Sequence, residues 1–388
     1  MKNIIRRIVF IFLDLFFFFT ILIISKISKF RNKEGLIGLG PEPLINNVYH
    51  KKALELYGYK AETFVTHVYF ITSEFDVRFD EVFKNKITKI LKPYLVFIYT
   101  IWKYDALYIY FNGSALALSG SSLYKFEPYF YKKAGVKTFV MPYGGDVANM
   151  LFAKELKYKN ALTKDYPGFR SQKQKVEKQI DRWTMHASYI LSGCDWVDYM
   201  YAWDRLCLAH FSIDLSRFEG FKLKKPEGTL KILHAPNHRN IKGTRHIIQA
   251  VEDLQKEGFD IQLKLLEKVP NDQVLKVMSE VDIVIDQIII GWYAMFALEG
   301  MALRKPVITY IREDLLDLYL EEGVLESEDE FGLVSATYKN IKEVILDFYN
   351  NRDKIQIQGD KGRAFVEKYH SIEAIGEMFD EINKQLLG

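Results

Sequence analysis

The chain has 388 residues, 49% apolar and 27% charged, a balance that suits about two folded domains and excludes a disordered or fibrous protein. Its 53 basic and 50 acidic residues are interleaved and leave a formal charge of +3, which argues against a nucleic-acid binder held by phosphate neutralisation. Two cysteines, Cys194 and Cys207, exclude a disulfide scaffold and match no metal-ligand spacing, as expected for a reducing compartment.

The charge is uneven from the start. Residues 1–33 carry Lys2, Arg6, Arg7, Lys26, Lys29, Arg31 and Lys33 against one acid, Asp14, a local balance of +6. Between the basic clusters runs IVFIFLDLFFFFTILII, 17 residues from Ile8 to Ile24. That is at the short end of the roughly 17–25 residues a membrane helix needs. No small-residue cleavage site follows, so the segment reads as a retained membrane anchor, either single-pass or lying in one leaflet. Basic residues flank both sides and leave its orientation open. Deletion of residues 1–30 is expected to release soluble protein.

After the anchor, strands and helices alternate. KEGLIGLG (33–40) predicts a buried strand ending in a loop. A helix over Val48–Leu56, a stop at Gly58 and a strand over Ala61–Val65 follow. Further strands are expected at Ala106–Phe111, Lys137–Pro142 and Trp196–Tyr201, with a helix ending near Gly135 and another over Ser171–Ile190. Ser216–Gly228 (SRFEGFKLKKPEG) reads as a linker, after which the pattern restarts. Strands are expected at LKILHAP, Ile261–Leu266, VDIVIDQ and PVITYI, and helices at Gly243–Glu257, Asn271–Ser279 and Ala294–Ala302.

The expected architecture is α/β: two Rossmann-like, doubly wound domains facing a cleft, preceded by an N-terminal membrane helix (1–33). The domains span 34–216 and 217–370, and a last helix covers 371–388. A cleft between the carboxyl ends of two such sheets is the natural seat of a nucleotide and its reaction partner.

The second half carries the chemistry. HAPNHRNIKGTRHIIQAVEDL runs from strand through polar loop into helix, so backbone N–H groups and the positive end of a helix dipole face an anion there. Arg239 and Lys242 add a fork-shaped guanidinium and a point charge, a pairing suited to a diphosphate. His234 and His238 bracket the loop, either to bond phosphate or to order the loop. About 50 residues on, Glu299 sits among Ala297, Leu298, Met301 and Ala302, where a carboxylate is either paired or accepts from vicinal ribose hydroxyls. Asp286, Trp292 and Tyr293 lie in the same region, the aromatics able to stack on a sugar or base. His186 sits on a helix and reads as a satisfied core residue.

These residues resemble the C-terminal domain of the family 4 glycosyltransferases, which have the GT-B fold. The family's loop with Arg and Lys before K-G matches Arg239, Lys242 and Gly243. Its E-A-M-A-x-G-x-P-V segment is similar to Glu299-Gly300-Met301-Ala302 through Pro306-Val307. In the first half, GPEPLINN, FNGSALAL and YGGDV resemble the family's glycine-containing loops, FSIDLSRF (211–218) its approach to the interdomain linker, and GRAFVEKYHSIEAIGEMFDEI its closing helices.

The resemblance implies a nucleotide-sugar-dependent glycosyltransferase of the bacterial surface-glycan (polysaccharide biosynthesis) type, of the hexosyltransferase kind and retaining configuration. It implies Arg239, Lys242 and Gly243 at the donor diphosphate and Glu299 at the ribose. Beside these, Asp286 is the residue placed to reach the donor sugar in the absence of a glutamate at 291, with simply ending its strand as the alternative, and Trp292 is a donor-side stacking candidate. Gly40, Asn112, Gly113, Gly144 and Gly145 would face the acceptor. Departure of a nucleoside diphosphate needs charge stabilisation more than a covalent nucleophile, which Arg239, Lys242 and the helix start at Gly243 supply. The chain has no D-x-D triplet, and neither metal nor cofactor is expected. Asp146 is the first-domain candidate for acceptor or sugar contact, with helix capping as the alternative.

Three departures from the family pattern stand out. Gly291 replaces a glutamate eight positions before Glu299, Arg304 stands where a glycine closes the helix, and Tyr143 replaces a histidine. The partners expected are a UDP- or GDP-linked sugar, a lipid-linked or growing glycan acceptor and, through residues 1–33, the cytoplasmic face of the cell membrane. Two rival readings are a catalytically silent, partner-binding GT-B relative, motivated by Gly291, and a sugar-nucleotide epimerase.

Overall fold

In the computed structural model, residues 2–32, 34–69, 72–117, 121–221 and 227–387 are described. Lys33, the last residue of FNGSALAL and the middle of the linker (222–226) lie outside them.

Two parallel sheets organise the chain. The first has seven strands: β1 (Leu36–Leu39), β2 (Lys60–Val65), β3 (Val77–Arg78), β4 (Ala106–Tyr110), β5 (Lys137–Met141), β6 (Tyr189–Gly193) and β7 (Arg205–Cys207), in the order β3-β2-β1-β4-β5-β6-β7. The second has five: β8 (Leu230–His234), β9 (Ile261–Leu265), β10 (Ile283–Ile285), β11 (Val307–Thr309) and β12 (Val334–Ser335), in the order β12-β11-β10-β8-β9. Every ladder between these strands is parallel. Such strands are covered on both faces, and β4 and β10 are buried at every position, which is why they read as unbroken apolar runs.

The strand order reverses between β1 and β4 in one sheet and between β8 and β10 in the other. Those switch points open crevices at the strands' carboxyl ends. Gly40 and Asn112 leave one crevice, the 235–243 loop and Asp286 the other. Gly40 must be a glycine, because a Cβ there would stand 2.0 Å from the Phe64 carbonyl oxygen.

Between Val65 and Ala106, where the sequence reading assigned no element, stands the helix Lys86–Lys103, capped by the Asn85 side chain on the Thr88 N–H (2.8 Å). The helix Glu127–Ala134 ends at Gly135, whose φ of +66° is the left-handed conformation a C-terminal cap uses. The expected strand Trp196–Tyr201 is instead a 3₁₀ turn, Cys194–Asp198; the strand is the preceding run Tyr189–Gly193. The closing helix Ile372–Leu387 lies against the first-domain helix Ile45–Leu56. Tyr108 Oη donates to Asn383 Oδ1 (3.0 Å) and Tyr59 Oη to Asp380 Oδ1 (2.8 Å), and a Cβ on Gly376 would meet the Tyr57 ring at 2.7 Å.

The N-terminal helix Lys2–Ser28 forms an extra layer over the helices Lys86–Lys103 and Glu127–Ala134. Phe17 and Ile21 are buried in the first-domain core, and Phe17 stacks on Tyr94. Asp14, the acid inside the apolar run, accepts from Tyr94 Oη (2.6 Å), Ser121 Oγ (2.5 Å) and the Ser122 N–H (2.8 Å). Its carboxylate is therefore satisfied by the folded domain.

Candidate functional site

The site is built where the second sheet's switch point meets the first domain. β8 ends at His234, fully buried, with Nδ1 on the Ile285 carbonyl (2.8 Å) and Nε2 on Thr244 Oγ1 (2.9 Å). Burial lowers its pKa to about 4, so the ring is neutral and orders the loop. A single helical turn, Arg239–Lys242, follows, then Gly243 and the helix Thr244–Lys256. Gly243 has φ +76°, and a Cβ there would lie 2.7 Å from Ile288 Cγ1. Both the backbone twist and the close approach require glycine.

The two cations of the loop differ in placement. Lys242 turns inward, its Nζ 2.5 Å from Oδ1 of Asp286, which is fully buried at the end of β10. Asp286 Oδ2 has no hydrogen-bond partner among the described residues. Arg239 is half-exposed at the rim and is held as a fork by Glu267, with Nε to Oε1 at 2.8 Å and Nη2 to Oε2 at 2.6 Å. Read from sequence, both cations face an anion unencumbered; in the fold each already has a carboxylate partner.

Glu299, on the helix Met295–Ala302, is buried beside this pair. Its Oε1 accepts from Asn271 Nδ2 (2.8 Å), and Asn271 Oδ1 is buried without a partner among the described residues. Burial pushes the Glu299 carboxyl up to about 7, while Asn271 and the Arg217 guanidinium oppose the rise and Asp286 adds to it. Arg217 also bonds Tyr49 Oη on the first-domain helix Ile45–Leu56. Lys242, Asp286, Glu299, Asn271, Arg217 and Tyr49 thus form one polar cluster reaching from the second domain to the first. Two of its buried oxygen atoms have no partner among the described residues, an arrangement that costs free energy unless something binds them.

The first domain covers the loop from the other side. Asp165 accepts from the Ile241 N–H (3.0 Å) and Asn240 Nδ2 (2.6 Å), and Tyr166 Oη meets His238 Nε2. At the crevice of the first sheet, Asn112 Nδ2 bonds Glu42 Oε1 (2.6 Å) and Tyr143 Oη (2.8 Å). Asp146 does not face this crevice. It is buried, and its oxygens accept the backbone N–H groups of Tyr143, Gly144 and Phe111 at 2.9–3.0 Å. Burial raises its pKa to about 7. Its placement is that of a loop clamp, close to the capping alternative, rather than a substrate contact.

Glu127 does the same beside Gly113, taking the N–H groups of Ser114, Leu116 and Ala117. Gly113 and Gly144, with φ +91° and +109°, are the turns these clamps hold, and Gly145 follows in the second of them.

Other residues lie elsewhere than expected. Trp292 is buried between the domains, its Nε1 donating to the Leu208 carbonyl (2.9 Å), packed on Tyr293 and Tyr319. Tyr293 Oη meets His370 Nε2 (2.8 Å). An indole N–H needs a partner once buried, and the domain interface supplies it; neither ring is open to a sugar. His186, expected in the core, is exposed at the end of its helix. Arg304 takes φ +52°, the left-handed conformation that a glycine would adopt more cheaply.

Gly291 has φ +105°, and a Cβ there would meet Arg312 Cδ at 2.5 Å. The Arg312 stem fills the space a side chain at 291 would need. Its guanidinium pairs with Asp198 of the first domain (Nη1–Oδ2 2.6 Å), with both side chains almost wholly buried. Glu42, Asn271, Arg217 and the Asp198–Arg312 pair escaped the sequence reading. Glu42 and Arg217 lie within segments singled out for other reasons, GPEPLINN and FSIDLSRF, whereas the others carry no local signal.

No known family model matches the chain, and no curated protein matches it in sequence. Solved structures share its fold. Sucrose-phosphate synthase from Thermosynechococcus elongatus superposes with a TM-score of 0.57 at 12% identity, covering 91% of this chain and 98% of that one. The Anabaena protein HepE, solved with UDP and glucose, does so with a TM-score of 0.54 at 12% identity, over 91% and 100%. The chain therefore has the GT-B fold.

Proposed function

We propose that the protein is a glycosyltransferase that moves a sugar from a UDP- or GDP-linked donor to a lipid-linked or growing glycan acceptor, with retention of configuration and without a metal. The observation that carries this is the Lys242–Asp286–Glu299–Asn271 cluster at the switch point of the second sheet, facing the first domain, with two buried oxygens unpaired. The bound UDP reported for HepE, on the same fold, supports a nucleoside diphosphate as the ligand class.

In this reading Lys242 and the backbone around Gly243 meet the diphosphate as it departs, and Arg239 swings from Glu267 to its outer phosphate. Glu299 accepts the ribose hydroxyls, held by Asn271 and facing Arg217. Glu42, Asn112 and Tyr143 line the acceptor side. Nucleotide sugars are made in the cytosol, so the domains work on the cytoplasmic face of the membrane, near a lipid-borne acceptor.

Titration calorimetry with UDP and GDP, followed by donor-turnover assays, tests the reading. Glu299→Ala should weaken nucleotide binding by about 10- to 150-fold, the equivalent of roughly 1.5–3 kcal/mol for hydrogen bonds to a charged group. An unchanged Kd removes the ribose assignment.

A pH series gives a second check. With the Glu299 carboxyl near 7, the group is increasingly protonated below that pH. If the ribose is held by the carboxylate, affinity falls as pH drops, by about tenfold per unit well below the pKa. Glu299→Gln should lack this component. The nucleotide's own phosphate titration is common to both proteins and cancels in their ratio.

Gly291 and the Arg312 stem favour one second reading, a catalytically silent module that binds nucleotide for a partner protein. Binding without turnover or donor hydrolysis would select it.

A further inference from the structure

We propose that the N-terminal helix does not cross the membrane but lies in its plane, half-immersed in one leaflet of an anionic bilayer, with the first domain docked along its inner side. Hydropathy alone permits a span over Val9–Ser28. The contacts oppose it. The helix is tied to the domain at Asp14, at Ser28, whose Oγ donates to the Ile101 carbonyl (2.8 Å), and just beyond its end at Arg31, which pairs with Asp105 (3.2 Å). From residue 14 to residue 28 is about 21 Å of helix at 1.5 Å per residue. Lipid cannot surround a helix held along that length by a folded domain.

The two sides of the helix differ as this seating requires. Phe17, Ile21, Ser25 and Ser28 are buried against the domain. On the opposite side Phe12, Phe16, Phe19, Ile23 and Ile27 form one exposed stripe, Phe12 70% accessible, and Phe30, in the turn just past the helix, is 86% accessible. An interfacial helix usually needs a polar face; here the protein takes that place.

The charge beside the stripe selects the partner. Lys26 on the helix and Lys29 just beyond its end are exposed, placed to reach headgroup phosphates while their stems stay in the apolar layer. An apolar groove of about 450 Å³ continues the surface, lined by Phe18, Phe126 and Tyr129 with Lys125, Lys132 and His186. This inference deepens the membrane assignment made above and is independent of which sugar is transferred.

The test uses the full chain, because removing residues 1–30 would strip Phe17 and Ile21 from the first-domain core. Two single-cysteine reporters are introduced, Lys2→Cys and Glu252→Cys; the native Cys194 and Cys207 are buried and give little background. On sealed membrane vesicles, a membrane-impermeant maleimide should label both from the same side to the same extent. Labelling of Lys2→Cys only after permeabilisation shows a crossing helix and overturns the proposal.

Independently, the variant Phe12→Ser/Phe16→Ser/Phe19→Ser/Ile23→Ser should lose about tenfold or more in binding to phosphatidylglycerol-containing vesicles while keeping the wild-type Kd for UDP. Full vesicle binding by that variant also overturns it. Should the quadruple variant fail to fold, the labelling comparison decides alone. Nucleotide binding measured in detergent reports separately on the proposed reaction.

Discussion

Lys242→Ala is expected to lower kcat for sugar transfer by about 10²–10³-fold, the usual cost of removing one donor aimed at developing negative charge. The side chain is the inward-facing cation of the loop, fixed by Asp286 in a nearly water-free position. In the proposed reaction its charge would act there on a departing diphosphate, partly shielded from solvent.

The substitution has a second effect. It leaves the Asp286 carboxylate buried with neither oxygen paired, and breaking such a pair from one side costs roughly 3–5 kcal/mol. Loss of activity and loss of stability then have to be told apart. Lys242→Ala/Asp286→Ala removes the stranded charge as well, so it should recover much of the stability and none of the turnover. That is the non-additivity expected of contacting residues. Thermal unfolding and steady-state donor turnover on the wild type and the two variants measure both quantities. A single variant with kcat within about threefold of wild type would remove Lys242 from the charge-stabilising role.

Which parts of this arrangement could be read from the chain follows from how far apart in sequence its parts lie. The strands β10 and β11 were readable because each is a short apolar run bounded by turn residues and buried at every position, while β8 and the edge strand β9 showed as β-branched and leucine residues alternating with Lys231, Gln262 and Lys264. Gly243 and Lys242 were readable because loop and helix are adjacent. The helix Lys86–Lys103 escaped the reading because Pro93 inside it is the residue type that ordinarily ends a helix. The run Tyr189–Tyr201 (YILSGCDWVDYMY) offers two apolar stretches around Gly193 and Asp195, and the turn that separates strand from 3₁₀ turn falls at Cys194, whose φ of +54° is not marked by its own residue type. Partners across the domains, such as Arg217 for Glu299 or Asp198 for Arg312, are far apart in sequence, and no local pattern encodes them. The N-terminal helix is the same problem in another form. A helix half covered by its own domain has the hydropathy of one surrounded by lipid, and only its tertiary contacts, at Asp14, Phe17, Ile21 and Ser28, distinguish them.

Gly291→Glu restores the residue that the resembled family carries, and it is expected to destabilise the protein rather than improve it. Two costs combine. A non-glycine residue at φ +105° is strained by about 1–3 kcal/mol. Its Cβ would also stand 2.5 Å from Arg312 Cδ, so the Arg312 stem must move. Moving it breaks the fork with Asp198, where Nη1–Oδ2 is 2.6 Å and Nη2–Oδ1 3.2 Å, and leaves buried Asp198 with only Lys154 at 3.5 Å; losing one side of a buried pair costs roughly 3–5 kcal/mol, and Lys154 offsets part of that. Because that pair joins the two domains, donor turnover should fall along with stability.

Gly291→Ala carries the strain and the close approach without a new charge, so its loss should be smaller than that of Gly291→Glu. Chemical denaturation and donor turnover on both variants give the answer. If Gly291→Glu unfolds like wild type and turns over donor about tenfold faster, a glutamate is tolerated there and stabilises the transition state by about 1.4 kcal/mol. The Arg312–Asp198 pair would then be a replaceable filler. If stability and turnover fall together, glycine at 291 is the residue that this interdomain pair requires.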